Sequence, residues 1–419
     1  MNVLLTPSPL EGELRVIPSK SYMHRALICA ALADKPTVLH CPKSNRDIWA
    51  TAGCLSALGA EIKEENGVFT VFPIAGKQEE TAQLCCEESG STLRFMLPVT
   101  AALGRKAVFH AKGRLSQRPL SPLYEELVRH GVILSPNGVF PLSTEGRLTG
   151  GKFALEGSVS SQFFTGLLLG LSLLPEESEI TVLGRLESAP YVSLTCAVMK
   201  EFGVRPVLTE TEMRISPAPF RSPGELFVEG DWSNAAFWLV AGVLGGKIRL
   251  TGLKKDSTQG DKAIVSILRE MGGNVREENG VYMAERSALH GVTIDATDIP
   301  DLVPVLAVAA ACARGETVIK GAARLRLKES DRIASVCRML TALGAPCEET
   351  ADGMIICGGG LTGGVVDACN DHRIAMSAAV ASLACCEPVA IVGAQAVEKS
   401  YPDFFRHFES LGGIYTELN

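Results

Sequence analysis

The sequence predicts a mixed α/β protein built from six copies of one supersecondary unit, grouped as two similar domains of three. Three observations carry that expectation. Six times along the 419 residues an amphipathic run closes on an apolar or bulky residue, meets a glycine, and gives way to a short β-like stretch that often carries Asn-Gly or Asp-Gly. The glycines are Gly59, Gly131, Gly203, Gly272, Gly344 and Gly412, and by subtraction they lie 72, 72, 69, 72 and 68 residues apart. Each stands where a helix C-cap needs a left-handed residue, just before a turn of the kind a hairpin favours. A period of about 70 residues is too long for a solenoid repeat and too even for six helices that merely end in glycine.

The third unit ends near Phe227–Gly230, after the proline-rich stretch Ser216-Pro-Ala-Pro-Phe-Arg-Ser-Pro-Gly, and a hinge is expected there. With 46% apolar and 21% charged residues the chain can bury proper cores. The apolar stretches Phe163–Leu174 and Leu302–Ala313 are too short to span a bilayer, so no membrane span is expected. The first residues, Met-Asn-Val-Leu-Leu-Thr-Pro-Ser-Pro-Leu-Glu-Gly-Glu, lack a basic start and do not read as a secretory signal. Thirteen cysteines, an odd number and mostly inside apolar runs, read as reduced and buried thiols of a cytoplasmic chain. Neither they nor the seven histidines show metal-ligand spacing, so no metal is expected. A formal net charge of −7 argues against a general nucleic-acid or anionic-membrane surface. Any anion site must be local.

Such sites are visible at helix starts. Pro18-Ser-Lys20-Ser21-Tyr-Met-His-Arg25 opens an apolar helix, expected over Ala26–Ala33, so Lys20 and Ser21 lie where free N–H groups and the helix dipole favour an anion. Arg25 follows about one turn later. A cation there calls for a partner, although an ordinary surface lysine beside a capping serine reads the same. Ser89-Gly90-Ser-Thr-Leu-Arg94 precedes a second apolar helix, and Gly90 permits close approach of a ligand; alone it has the form of a capping box. Arg118 lies beside Pro119 in what reads as a loop. Ser158-Val-Ser160-Ser161-Gln162 enters a helix that looks buried, where a polyhydroxylated ligand or simple N-capping would satisfy the polar groups, and Ser188 adds a hydroxyl.

In the second half, Asp301 comes just before the apolar helix expected over Leu302–Ala313, well placed to deprotonate a substrate hydroxyl. Lys328, Glu329 and Arg332 alternate in sign over five residues, the pattern also of a solvated helix face. Asn370-Asp-His-Arg373 and Glu398-Lys399-Ser-Tyr-Pro-Asp precede further helices. Basic and hydroxyl groups thus recur at helix starts in different units, an arrangement by which two domains could aim them into one cleft. Their combination points to a strongly anionic pair of ligands.

Taken together these motifs resemble the EPSP synthase family from Pro18 to Asp403. The carrying residues are Pro-Ser-Lys-Ser-x-x-x-Arg at 18–25, Ser-Val-Ser-Ser-Gln-Phe at 158–163, Pro-Asp at 300–301, Lys-Glu-Ser-Asp-Arg at 328–332, Asp-His-Arg at 371–373 and Lys-Ser-Tyr-Pro-Asp at 399–403. The resemblance implies an inside-out α/β barrel: two domains of three units each about a pseudo-threefold axis, with the active site in the interdomain cleft. It assigns residues 13–228 to one domain, mainly the shikimate 3-phosphate side. Residues 1–12 with 229–419 form the other, which would carry phosphoenolpyruvate and the catalytic residues.

By the same carry-over, shikimate 3-phosphate would meet Lys20, Ser21, Arg25, Ser160, Ser161, Gln162, Ser188, Asp301 and Lys328. Phosphoenolpyruvate would meet Lys20, Gly90, Arg118, Arg332, Arg373 and Lys399. The implied reaction moves the enolpyruvyl group to the shikimate 3-phosphate hydroxyl through a tetrahedral ketal. Asp301 would be the base, with Glu329 and Lys20 handling the methylene proton. No metal or organic cofactor and no macromolecular partner is implied, and a cytoplasmic monomer is expected.

Two positions depart from the family pattern. Arg324 stands where many relatives have Asn, and Phe95 where some have Pro. The nearest rival, UDP-N-acetylglucosamine 1-carboxyvinyltransferase, shares the fold and donor but typically carries a cysteine in the loop matching Ala111–Arg118. No cysteine lies between Cys86 and Cys196 here. A non-catalytic repeat scaffold is the rival of another class, and it would scatter these charges rather than set them at motif positions.

Overall fold

The computed structural model describes residues 1–76 and 80–418. It divides into two compact units, Met1–Ile17 with Glu229–Asn419, and Pro18–Val228. Among the described residues they contain six four-stranded sheets, three in each unit, all with one pairing pattern. In every sheet a parallel pair is extended by two antiparallel strands. In the unit Pro18–Val228, Ala82–Cys85 runs parallel to Ala107–His110, which pairs antiparallel with Leu142–Gly146, and that strand pairs with Val132–Leu134. Helix Gly90–Ala102 makes the crossover between the parallel strands, and helix Leu123–Arg129 leads through Gly131 into the hairpin. The repeated module is therefore strand, helix, strand, helix, hairpin.

All six spaced glycines adopt positive φ, between 81° at Gly203 and 103° at Gly59. A side chain at any of them would be strained, which is why the position repeats. Asn66-Gly67 and Asn279-Gly280 both have positive φ at both residues, the type I′ geometry that matches the twist of a two-residue hairpin. After Gly412 no such turn occurs, and the reason is topological. Strand Ile414–Leu418 finds its antiparallel partner at the other end of the chain, in Asn2–Thr6, which in turn pairs with Val389–Val392.

The second N-terminal strand corrects the expected boundary. Residues 13–17 fall with 229–419 rather than with 18–228. Glu11–Arg15 pairs in parallel with Lys247–Thr251 and supplies the first strand of that unit's first module, so the chain leaves only after Arg15 and Val16 have been tied to the Thr251 end. In the other unit the same role falls to Glu225–Phe227, parallel to Thr37–His40.

Each unit has its own core. In one, helices Trp232–Gly245, Val303–Cys312 and His372–Ala381 are buried almost all round and pack on one another. Such apolar circumferences fit only the centre of a fold. In the other, helices Gly90–Ala102 and Ser161–Leu171 make the closest pairing. A β-carbon on Gly166 would lie 2.2 Å from the Arg94 carbonyl oxygen, and one on Gly170 2.8 Å from that of Pro98. These two glycines let the backbones touch, which sets the helix starts side by side. Among the described residues no helix is long and apolar enough to cross a membrane, and no group of three or more His, Cys, Asp or Glu gathers to hold a metal ion.

The cysteine expectation needs correction. Cys337 and Cys347 are joined in a disulfide with Cα atoms 5.2 Å apart, and Cys85, Cys357 and Cys386 are exposed. The cause of the pairing is the module itself. The Gly344 turn folds strand Cys347–Glu349 back along helix Arg332–Ala342, bringing residues ten apart in sequence face to face.

Candidate active-site residues

In the unit Pro18–Val228 the predicted residues gather at helix starts. The first helix is Lys20–Ala31, longer at its beginning than expected, and Ser19 caps it by accepting from the Tyr22 N–H. The partner that Lys20 called for is Asp47, at 2.9 Å, from the first turn of helix Arg46–Ala57. Arg25, 2% exposed, fastens three helices. Its Nε donates to Thr195 Oγ1 at 2.8 Å, Nη1 to the Ser21 carbonyl at 2.6 Å, and Nη2 to the Tyr191 carbonyl at 3.0 Å and, from helix Ser161–Leu171, to Thr165 Oγ1 at 3.4 Å. Burial lowers its pKa to about 10, still a cation at neutral pH. Phe95, one of the two departures, lies under this guanidinium with its ring centroid 5.0 Å away. The substitution for proline is thus absorbed as a cation–π floor.

Ser89 and Ser160 cap the helices that follow them. Arg94 Nη1 donates to Gln162 Oε1 at 2.7 Å and Gln162 Nε2 donates to Ser91 Oγ at 3.0 Å, so the half-buried Gln162 amide is oriented at both ends. Arg118 ends the 3-10 turn Gly113–Gln117 and reaches Gly90. A β-carbon on Gly90 would lie 2.7 Å from Arg118 Nη1 and 3.0 Å from Arg94 Nη1. Glycine there makes room for two guanidinium groups. Gly90→Ala is expected to fold normally, because the atoms in its way are the ends of flexible side chains. Ser188 is buried in left-handed conformation, φ 55°, at the start of helix Ala189–Glu201.

In the other unit the solvated-face reading of Lys328–Arg332 is overturned. Helix Arg332–Ala342 begins only at Arg332, capped by Asp331, and Arg332 is 1% exposed. It is the hub of a buried ionic network. Nε donates to Asp371 Oδ2 at 2.8 Å, Nη1 to Asp301 Oδ1 at 2.7 Å, and Nη2 to Glu329 Oε2 at 2.7 Å. Burial alone would lower the Arg332 pKa, but Asp371, Glu329 and Asp301 more than offset it and the net shift is upward. Burial likewise pushes the Asp371 carboxyl up, and the Arg332 charge prevails to hold it below its usual value. Asp371 also accepts from Ser330 Oγ at 3.0 Å and caps helix His372–Ala381.

Asp301 sits in a 3-10 turn, Pro300–Leu302, ahead of the helix, which runs Val303–Cys312. Besides Arg332 it faces Lys328 Nζ at 3.7 Å and Arg373 Nη2 at 3.4 Å, and its carbonyl accepts from Arg373 Nη1 at 2.9 Å. Lys399, largely buried, donates to the Asn370 carbonyl at 2.7 Å. Arg324, the other departure, is turned to the Thr297 carbonyl at 3.1 Å. Asp301, Lys328, Glu329, Arg332 and Arg373 are therefore one connected cluster. Sequence reasoning missed Asp47 and assigned Asp371 no task. Only for Asp47 was there a signal, the demand of Lys20 for a counter-charge.

Strand-helix-strand-helix-hairpin modules thus carry cations and hydroxyls at their helix starts. A family model described as EPSP synthase (3-phosphoshikimate 1-carboxyvinyltransferase) matches residues 4–408. Proteins named 3-phosphoshikimate 1-carboxyvinyltransferase from Clostridium novyi and Clostridium acetobutylicum are 40% and 41% identical to the chain. Those alignments cover 99% of this chain and 98% of the first relative, and 98% and 97% for the second. The solved EPSP synthase of Acinetobacter baumannii superimposes with a TM-score of 0.82 at 26% identity, over 99% of this chain and 100% of that one. The chain belongs to the EPSP synthase family.

Proposed function

We propose that this chain transfers the carboxyvinyl group of phosphoenolpyruvate to the 5-hydroxyl of shikimate 3-phosphate and releases phosphate, in the shikimate route to chorismate and the aromatic amino acids. Membership of the family and the names of its relatives support the reaction. The observation in this chain that carries the reading is the Asp301 cluster: a carboxylate at the head of a buried helix, flanked by Arg332, Lys328 and Arg373.

In the addition, Asp301 takes the proton of the 5-hydroxyl as its oxygen attacks C2 of phosphoenolpyruvate, and C3 gains a proton to become a methyl group. In the elimination, the methyl loses a proton, the C2–O bond to phosphate breaks, and phosphate leaves with the electron pair. Glu329 and Lys20 are assigned to the two proton transfers at carbon. Shikimate 3-phosphate is assigned to Lys20, Ser21, Arg25, Ser160, Ser161, Gln162, Ser188, Asp301 and Lys328. Phosphoenolpyruvate is assigned to Lys20, Gly90, Arg118, Arg332, Arg373 and Lys399, whose guanidinium and ammonium groups suit its phosphate and carboxylate. The steps are one addition and one elimination at C2 with their accompanying proton transfers, and a cytoplasmic monomer is part of the proposal.

The test is phosphate release from phosphoenolpyruvate by the purified chain with shikimate 3-phosphate or UDP-N-acetylglucosamine as acceptor. Release is expected with the first alone. Shikimate 3-phosphate at 100 times its dissociation constant should also stabilise the folded chain by about 2.7 kcal/mol. Release with the sugar nucleotide, or neither release nor thermal protection, would overturn the proposal.

A further inference from the structure

One buried carboxylate next to the cluster has no part in the reaction as written. Asp261 lies in the 3-10 turn Gly260–Ala263 and is 3% exposed. The turn is fastened from both sides. Gln259 Nε2 donates to Glu229 Oε1 at 2.7 Å and to the Gly230 carbonyl at 2.8 Å, while Gln259 Oε1 accepts from the Trp232 N–H at 3.1 Å. Ser257 Oγ donates to the same Glu229 oxygen at 2.6 Å, and Lys262 Nζ donates to the Ser257 carbonyl at 2.6 Å. A carboxylate placed so firmly among buried groups points at something that needs it.

What it meets is Ser233. The Ser233 hydroxyl donates to Asp261 and accepts from Arg373 Nη2 at 2.7 Å. Arg373 in turn donates through Nη1 to the Asp301 carbonyl and lies 3.4 Å from the Asp301 carboxylate. A hydroxyl has one hydrogen and two lone pairs, so when Asp261 takes the hydrogen the lone pairs are turned to the guanidinium. We propose that Asp261 is a positioning residue which, through Ser233, fixes the Arg373 guanidinium in the orientation that receives phosphoenolpyruvate. The proposal rests on the assignment of Arg373 to that substrate.

The relay has a pH sense. Burial pushes the Asp261 carboxyl up to about 7, with Asp301 adding to the rise and Arg373 opposing it. The charged groups that face it are Asp301 from the Pro300–Leu302 turn, Arg373 from helix His372–Ala381, and Asp231, the cap of helix Trp232–Gly245. Once protonated, Asp261 becomes a donor to Ser233, whose own hydrogen must turn away, and the negative charge behind Arg373 is lost. The hold on Arg373 therefore weakens as pH falls through about 7.

The test is the KM for phosphoenolpyruvate at saturating shikimate 3-phosphate, from about pH 5.5 to 8.5, in the parent chain, Asp261→Asn and Asp261→Glu. In the parent, KM should rise as pH falls below about 7 while kcat moves less. Asp261→Asn should raise KM several-fold throughout and flatten that limb, and Asp261→Glu should restore part of both. The ionisations of the substrates, of Asp301 and of Asp231 are common to all three proteins, so a limb that disappears belongs to residue 261. An unchanged limb or an unchanged KM in Asp261→Asn overturns the proposal. Should that variant fail to fold by circular dichroism, Ser233→Ala takes its place, with the same raised KM and flattened limb expected and a parental profile overturning it. If the parent releases no phosphate with shikimate 3-phosphate, the functional reading fails and this one falls with it. If the parent turns over and the limb stays, only this one fails.

Discussion

Replacing Asp301 by asparagine is expected to lower kcat for phosphate release by a factor on the order of 10²–10⁴, the usual contribution of a positioned base. That range corresponds to about 3–5 kcal/mol of lost transition-state stabilisation. Asparagine is the informative choice because its amide oxygen can still accept from Arg332 Nη1, now at 2.7 Å from the carboxylate, while its amide cannot take the substrate proton. The Asp301 carbonyl, which accepts from Arg373 Nη1, is backbone and survives the change. Arg332 keeps Glu329 and Asp371, so the unfolding temperature should move little. Binding of shikimate 3-phosphate should persist. A variant whose kcat stays within a few-fold of the parent would remove Asp301 from the role of base, and one with parental kcat but a raised KM would make it only a binding residue.

The fold was legible because its signal is local and repeated. A glycine forced to positive φ after a helix, and an Asn-Gly with both residues at positive φ, leave a mark wherever they occur, so the six modules could be counted from Gly59 to Gly412. The first dozen residues were harder. Their strands complete sheets whose other members lie more than 200 residues away, at Lys247–Thr251 and Val389–Val392, and nothing in Glu11–Arg15 itself names its partner. The misplaced boundary at residue 13 is the direct result.

Charges divide in the same way. Lys20, Asp301 and Arg373 were visible because each stands at a helix start. Their partners were invisible because ion pairing depends on distance in space, and Asp47 is 27 residues from Lys20 while Asp371 is 39 from Arg332. Lys328-Glu-Ser-Asp-Arg332 shows the ambiguity most plainly. Alternating charge is what a solvated face needs, and it is also what a buried network needs, since each buried charge must be offset by its neighbour. The pairing of Cys337 with Cys347 escaped for a related reason: the helix-glycine-strand module brings them together, and neither residue alone announces it.

The largest effect on stability should come from Arg332→Met, expected to cost about 3–5 kcal/mol, the range for removing one partner of a buried ion pair. The change fills the space but leaves Asp371, wholly buried, together with Asp301 and Glu329 around an apolar side chain. Trp232 and Trp238 are buried in the same unit, so urea unfolding followed by their fluorescence reports on the part of the chain that is changed. The pH dependence gives the mechanism away. In the parent, Asp371 is held below its usual value, so its contribution is full above the unfolded pKa of 3.8 and is lost as pH falls through the folded one. Without Arg332, burial prevails and the carboxyl should rise above its unfolded value, so it is destabilising at neutral pH and relieved when protonated. The gap between parent and variant should accordingly be widest near neutrality and narrow on acidification. A gap that widens on acidification, or unfolding curves that coincide at neutral pH, would mean that Arg332 is not what keeps Asp371 ionised. Arg332→Lys should fall between the two, because one ammonium keeps the charge but cannot meet Asp371, Glu329 and Asp301 from three separate nitrogens.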